Sequence, residues 1–137
     1  MLADATGHGL GAAISVLPVL ALFYRMTSQD RNIEEMILEF NQQLRESVPT
    51  GRFVALSLVC IEAEGNRGKA WIGGTPAAIL LDEWGRQIRR FESTHLPLGI
   101  VDNTELDVKP EDFEWSPRQQ ILLYSDGLIE AENSDGE

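Results

Sequence analysis

The 137-residue sequence is poor in cysteine and in positive charge. Its single cysteine, Cys60, lies in an apolar run, and no signature of a nucleophilic cysteine surrounds it. We therefore expect a buried thiol that packs as a small hydrophobe. Lysine and arginine number 11 against 22 acidic residues, which gives a net charge of −11. Because proteins that bind nucleic acid hold its phosphates with clustered basic residues, this balance argues against a nucleic-acid partner.

Long apolar runs are also scarce. The longest, residues 12–24, contains Ser15 and Pro18 and is shorter than the roughly 20 residues that cross a bilayer. No basic region precedes it and no small-residue cleavage site follows it, so a secretory signal is not indicated. The sequence predicts a cytoplasmic protein without a membrane partner.

Two helices are predicted in the first third of the chain. Residues 10–28 are rich in helix formers and indicate a long, largely buried helix with a kink near Pro18. Asn32 is the predicted cap of the second helix, with Glu35 in the capping-box position and Pro49 and Gly51 at its end. Its core face repeats every three to four residues, at Ile33, Met36, Ile37, Phe40, Leu44 and Val48.

The rest of the chain has the texture of short strands separated by turn residues. Residues 64–68 and 82–85 are typical of hairpin loops. Helices followed by hairpin-linked strands predict one α+β domain with mainly antiparallel sheet. The predicted strands are 53–62, 69–72, 77–81, 87–91, 105–108 and 120–124.

Two acidic motifs stand where a predicted strand meets a helix. Residues 4–9 read Asp-Ala-Thr-Gly-His-Gly, and residues 124–131 read Tyr-Ser-Asp-Gly-Leu-Ile-Glu-Ala. Either acid alone, Asp4 or Asp126, is explained equally well as a helix cap or turn residue beside permissive glycines. Two acids at strand ends also suit hard divalent ions, because Mg²⁺ takes oxygen ligands and commonly only one or two carboxylates.

Both motifs, in this order and with two helices between them, resemble the bacterial SpoIIE/RsbU-like branch of the protein phosphatase type 2C superfamily. The intervening segments are similar to the family as well, namely the strand entry at 51–56, the glycine-containing segment at 73–78 and Leu-Pro-Leu-Gly at 96–99. The resemblance implies a β-sandwich of mainly antiparallel sheets flanked by helix pairs. It also implies a site for two divalent cations, Mn²⁺ or Mg²⁺, with Asp4 bridging both ions, the Ala5 carbonyl binding the second and Asp126 binding the first.

The implied activity is hydrolysis of phosphoserine or phosphothreonine on a regulatory protein such as an anti-sigma-factor antagonist. An N-terminal sensor or receiver domain is expected in the parent protein, and oligomerisation is left open. The family's upstream Gly-Asp motif and its final Asp-Asp-x-Thr strand are absent from residues 1–137. We therefore expect the central portion of one phosphatase domain, truncated at both ends and with low activity in isolation.

Several other residues invite a functional reading. His8 is a candidate general acid beside the metals, although its ring can equally pack in the turn. His95 is predicted to be a surface residue, and the three tryptophans are predicted to pack in the core or in hairpins, at Trp71, Trp84 and Trp115.

Two alternatives remain at this point. A histidine-kinase-like ATPase would explain the first motif but not the second. A non-catalytic module would keep the phosphatase fold for binding a partner protein.

Overall fold

The computed structural model describes residues 1–5, 9–47, 52–62 and 64–129, and they form an α+β structure with two antiparallel sheets, as predicted. The elements in chain order are β1 (Leu2–Ala5), α1 (Gly9–Ser28), α2 (Ile33–Ser47), β2 (Val54–Glu62), β3 (Arg67–Gly73), β4 (Ala78–Leu81), β5 (Gln87–Phe91), β6 (Glu111–Glu114), β7 (Gln120–Leu122) and α3 (Asp126–Ile129).

Helix α2 begins at the predicted capping box. Asn32 Oδ1 accepts a 2.8 Å hydrogen bond from the Glu35 amide, and Asn32 Nδ2 donates to Glu35 Oε1 at 2.9 Å. These bonds satisfy one of the amides that a helix start leaves unpaired. The predicted core face is confirmed for Ile33, Met36, Ile37, Phe40 and Leu44; Val48, Pro49 and Gly51 lie outside the described residues.

Helix α1 runs unbroken through Pro18, but it is only half covered. Val19, Leu22 and Met26 are buried on one face. The opposite face is also apolar and is 40–77% exposed, at Leu10, Ile14, Leu17, Leu20 and Tyr24. The prediction of a largely buried helix is therefore wrong, because a helix that is apolar all round carries no periodicity to show which side faces solvent.

The apolar character of α1 also satisfies a simple length and hydropathy criterion for a membrane span. The 19 residues Leu10–Ser28 meet this criterion, and 28% of an 18-residue stretch within them is buried inside the protein. Val19, Leu22 and Met26 of α1 pack in one core cluster with residues of α2.

The first sheet has the strand order β1-β2-β3-β6 and carries α1 and α2 on one face. Strand β2 pairs with both β1 and β3, and the alternating side chains of its first half point to the helices at Val54, Leu56 and Leu58. Trp71 from β3 completes this layer, fully buried. The core between helices and sheet thus depends on contacts between the two halves of the chain.

The second sheet has the order β5-β4-β7 and packs on the other face of the first. Ala70 and Ile72 of β3 and Phe113 of β6 lie on that face, while Leu80 and Phe91 approach from β4 and β5. The ring centroids of Phe91 and Phe113 are 4.9 Å apart. The described residues therefore form a β-sandwich with a helix pair on its first sheet.

The predicted strand boundaries fail in one region. Residues 105–108 are not a strand; Leu106 and Val108 instead pack against the helix-side core without joining a ladder. The strand lies just beyond, at β6, which pairs with β3 through Glu111–Glu114. Its single buried residue, Phe113, between acidic neighbours gave too weak an apolar pattern to indicate a strand.

Candidate metal centre

The strand directions bring the C-terminal ends of β1 and β7 to one end of the sandwich, called the pole below. Strands β1 and β3 each pair antiparallel with β2, so both run toward the pole, where β3 ends at Gly73. Strand β4 begins at Ala78, shortly after β3 ends at Gly73, and we infer that it runs back from the pole along the first sheet. Because β7 is antiparallel to β4, β7 runs back toward the pole and α3 begins there with Asp126.

The two acids occupy different local settings at this pole. Asp4 lies within β1, opposite Ala55 of β2, and is partly buried. Ala5 follows it as the last residue of β1, opposite Val54. Asp126 is exposed in the first turn of α3, where an acid also favours the helix electrostatically. His8, with Thr6 and Gly7, lies outside the described residues, so its role as a general acid stays a prediction.

The donor atoms are of the kind that hard divalent ions prefer. Two carboxylates, from Asp4 and Asp126, and the Ala5 carbonyl offer oxygen only, which suits Mg²⁺ and Mn²⁺ better than soft metals. Within residues 1–5, 9–47, 52–62 and 64–129, no three His, Cys, Asp or Glu side chains group closely enough to hold an ion. The assignment of Asp4, Ala5 and Asp126 as ligands therefore remains a prediction that the donor chemistry fits.

The Leu-Pro-Leu-Gly loop runs beside the start of β2 at the pole. Leu98 exchanges two backbone hydrogen bonds with Val54, of 2.8 and 2.9 Å. Gly99 has φ of 95°, a conformation that glycine adopts without strain. The loop therefore extends the first sheet at Val54, the residue of β2 that also pairs with Ala5.

A buried asparagine that sequence reasoning missed fastens this loop to α2. Asn41 is fully buried, accepts a hydrogen bond from the Gly99 amide, and donates to the Val101 carbonyl and to Asn103 Oδ1. Asn103 in turn donates to the Leu38 carbonyl on α2. The sequence did offer a signal for this role, namely an asparagine among the apolar residues of an amphipathic helix. Such a side chain is expected to be buried, and a buried amide needs several hydrogen-bond partners.

The segment joining β3 to β4 is held just as closely. A Cβ on Gly73 would lie 2.6 Å from the Trp71 ring and 2.7 Å from the Leu96 carbonyl, so only glycine fits there. The Gly74 amide donates to Ser93 Oγ at 2.7 Å. Thr75 is buried and its hydroxyl hydrogen-bonds that of Ser57 on β2. The glycines noted in the sequence thus serve close packing at the pole.

His95 is not the surface residue that the sequence predicted. Its side chain is only 7% exposed and stacks on Trp71, with ring centroids 4.8 Å apart and an interplanar angle of 9°. Trp71 Nε1 donates to the Asp107 carbonyl at 3.0 Å. The imidazole is buried because the β3 core supplies a flat indole against which the loop can close, a contact that no local pattern reveals.

Cys60 is exposed, so the prediction of a buried thiol is wrong. It lies at the far end of β2 from the pole, in an open groove of about 600 Å³ that is also lined by Glu62, Arg67, Lys69 and Arg89. The apolar run of β2 continues to Ile61, but the fully buried part of the strand ends at Leu58 and its last three residues face solvent. Local desolvation, followed by the charge of Glu62, raises the pKa of the Cys60 thiol.

The tryptophans divide between core and surface. Trp71 is fully buried as predicted, whereas Trp84 is 71% exposed at the tip of the β4–β5 hairpin and lies under the Arg86 guanidinium. Trp115 packs partly against the core between the two sheets. None of the three lies in the acidic motifs.

Comparisons with known proteins agree with this architecture. The family described as Stage II sporulation protein E (SpoIIE) matches residues 1–137. A structure of the RsbU and RsbW domains of Rv1364c from Mycobacterium tuberculosis superposes with a TM-score of 0.74 at 20% sequence identity, over 95% of this chain. The chain spans 36% of the length of that protein. A search of curated proteins found no match.

The solved structure shows the likeness of fold, and the family match extends over both acidic motifs and every segment between them. The ATPase alternative, which explained the first motif alone, gains nothing from either comparison. The chain belongs to the SpoIIE family and has the RsbU-like, type 2C phosphatase fold.

Proposed function

We propose that the chain is a metal-dependent protein serine/threonine phosphatase domain, with its centre at the pole. The proposal is supported by the strand pairings and the short β3–β4 connection, from which we infer that the strands ending near Asp4 and Asp126 run toward the same end of the sandwich. The family assignment supports phosphatase chemistry, and the oxygen donors support a hard divalent ion.

In this proposal Asp4, the Ala5 carbonyl and Asp126 hold two divalent cations, Mn²⁺ or Mg²⁺. The ions would supply Lewis acidity that activates water for attack on phosphorus and offsets charge on the phosphoryl oxygens. The protein keeps the ligands in place through the β1–β2 pairing and through the loop that Asn41 holds beside Val54. No covalent nucleophile is required, and the exposed Cys60 lies at the opposite end of β2.

The proposed substrate is a phosphoserine or phosphothreonine on a regulatory protein, of the anti-sigma-factor-antagonist type. The family assignment supports a regulatory partner of this kind. The Mycobacterium tuberculosis protein carries an RsbU domain and an RsbW domain in one chain, which is a precedent for fusion of this fold to a signalling domain. Fusion to a sensor or receiver domain is part of the same proposal.

The test is Mn²⁺ binding, measured by calorimetry on the wild type, Asp4→Asn and Asp126→Asn. Each variant should bind Mn²⁺ at least about 10- to 100-fold more weakly, since even outer partners of metal ligands cost that much. Asp112→Asn is the matched control, because Asp112 is an exposed acid on β6 whose loss removes the same charge. Wild-type affinity in both pole variants would refute the metal centre.

Phosphatase activity is tested on the same set with a phosphoserine peptide and Mn²⁺. The pole variants should lose turnover while the Asp112 variant keeps it. The non-catalytic alternative is favoured by the lack of a three-ligand cluster in the described part of the chain. That alternative predicts no Mn²⁺-dependent turnover from the wild-type protein.

A further inference from the structure

The Arg52 guanidinium lies beside Gly11 in the first part of α1. A Cβ placed on Gly11 would lie 3.1 Å from Arg52 Nη2 and 3.2 Å from Nη1, tighter than most real Cβ contacts. Gly11 is therefore the residue that makes room for the guanidinium.

Arg52 has no ion-pair partner among the described residues, a state that it shares with Arg25, Arg45, Arg67 and Lys109. Six other basic side chains pair with carboxylates, at Arg31, Lys69, Arg86, Arg89, Arg90 and Arg118. No carboxylate among the described residues lies within ion-pair distance of Arg52, in a protein of net charge −11. In the described part of the chain, therefore, no carboxylate competes with an outside anion for its donors.

The position of Arg52 ties this charge to the pole. It precedes β2 by two residues, and the first residue of β2, Val54, pairs with Ala5 at the end of β1. The Arg52 carbonyl also lies 3.4 Å from where a Cβ on Gly99 would be, so the Leu-Pro-Leu-Gly loop passes beside it. Arg52 therefore lies next to the strand ends at the pole, where the proposed function would bind the phosphoryl group.

We propose that Arg52 binds the phosphoryl group of the substrate, its guanidinium donating to the oxygens that do not take part in bond cleavage. This inference rests on the proposed phosphatase function and assigns one substrate-binding residue to it. A guanidinium suits the task because it is planar, always charged and offers paired donors to phosphate oxygens. Gly11 sets how closely that group approaches the start of α1.

The experiment compares Arg52→Ala with Arg25→Ala in the presence of Mn²⁺. Arg25 is an exposed arginine in the last turn of α1, so Arg25→Ala removes the same charge at a position away from the pole. Calorimetry with inorganic phosphate, the reaction product, should show affinity about 10- to 100-fold weaker for Arg52→Ala and unchanged for Arg25→Ala. Mn²⁺ affinity and thermal midpoint should match the wild type in both.

Two further measurements sharpen the assignment. The KM for a phosphoserine peptide should rise in Arg52→Ala by a similar factor, with partial recovery in Arg52→Lys. Gly11→Ala should give a smaller rise, because the added methyl displaces the guanidinium by a few tenths of an ångström.

The outcomes separate this inference from the function on which it rests. A wild-type protein that binds Mn²⁺ and hydrolyses the peptide, with Arg52→Ala equal to it in phosphate affinity and KM, overturns the role of Arg52 alone. Wild-type protein that binds Mn²⁺ but not phosphate also overturns that role. Wild-type protein that neither binds Mn²⁺ nor hydrolyses the peptide refutes the proposed function as well.

Discussion

The Gly99 amide donates a 2.7 Å hydrogen bond to the side-chain oxygen of Asn41, a fully buried residue on α2. The same side chain donates to the Val101 carbonyl at 2.9 Å. The Asn41 side-chain amide therefore pairs with one backbone donor and one backbone acceptor of a loop that is distant in sequence. Because that loop also pairs with Val54, the helix layer and the pole are linked through Asn41.

Replacing Asn41 should be among the most destabilising single changes in α2. Asn41→Leu removes the partners of buried backbone groups, and we expect the free energy of unfolding to fall by about 2–4 kcal/mol. Urea denaturation measures the loss. Gln42→Ala, on the exposed neighbour, should change stability by less than about 0.5 kcal/mol. Equal stability of the two variants would contradict the role of Asn41.

Trp71 gives a second contrast between buried and exposed positions. Trp71→Phe loses the bond to the Asp107 carbonyl and part of the stacking with His95, and should cost about 1–3 kcal/mol. Trp84→Phe is the control, because Trp84 is 71% exposed. A chemical denaturation series in which both substitutions cost the same would show that the indole contacts contribute little.

Cys60 should react slowly although it is exposed. Desolvation and the charge of Glu62 raise the pKa of its thiol, while Lys69 opposes them. Since the thiolate is the reactive form, iodoacetamide should label Cys60 more slowly than a cysteine in a short peptide at neutral pH.

Two variants give the sign of that effect. Glu62→Gln should lower the pKa and speed labelling, and Lys69→Met should raise the pKa and slow it. The pH dependence of the labelling rate measures both. Changes in the reverse direction would show that neither charge acts on the thiol as the structure indicates.

Asp102 should make stability depend on pH in acid. Hydrogen bonds from the Thr104 hydroxyl and amide lower the pKa of the Asp102 carboxyl. The stabilisation is therefore fully present above the unfolded-state pKa, about 3.9, and is lost as the pH falls through the lower folded-state value. Thr104→Val should raise the Asp102 pKa in an NMR titration; an unchanged pKa would rule out the hydroxyl contribution.

The fold was predictable where local chemistry and periodicity agree. Helix α2 was predictable from its capping residues Asn32 and Glu35 and from its regular apolar face, and the β4–β5 hairpin was predictable from its turn residues. Strand β6 was missed because only Phe113 faces the core, and α1 was misjudged because both of its faces are apolar. In each failure the deciding fact is which neighbour covers a surface, and that neighbour is distant in sequence.

The candidate site divides in the same way. Asp4 and Asp126 stand out because each acid lies at or just after a strand end with a glycine within the next three residues, a pattern visible in the sequence. Asn41 has only a weak local mark, an amide among the apolar residues of α2, and Arg52 has none. Their importance comes from contacts with Gly99 and Gly11, which only the packed structure brings near.

The pole is assembled from strand ends that meet only after the two sheets have stacked. An isolated helix or hairpin of this chain can form without bringing any pair of these acids together, so cation affinity would be an all-or-none property of the native state. Denaturant should then abolish Mn²⁺ uptake and the far-ultraviolet sheet signal at one shared midpoint.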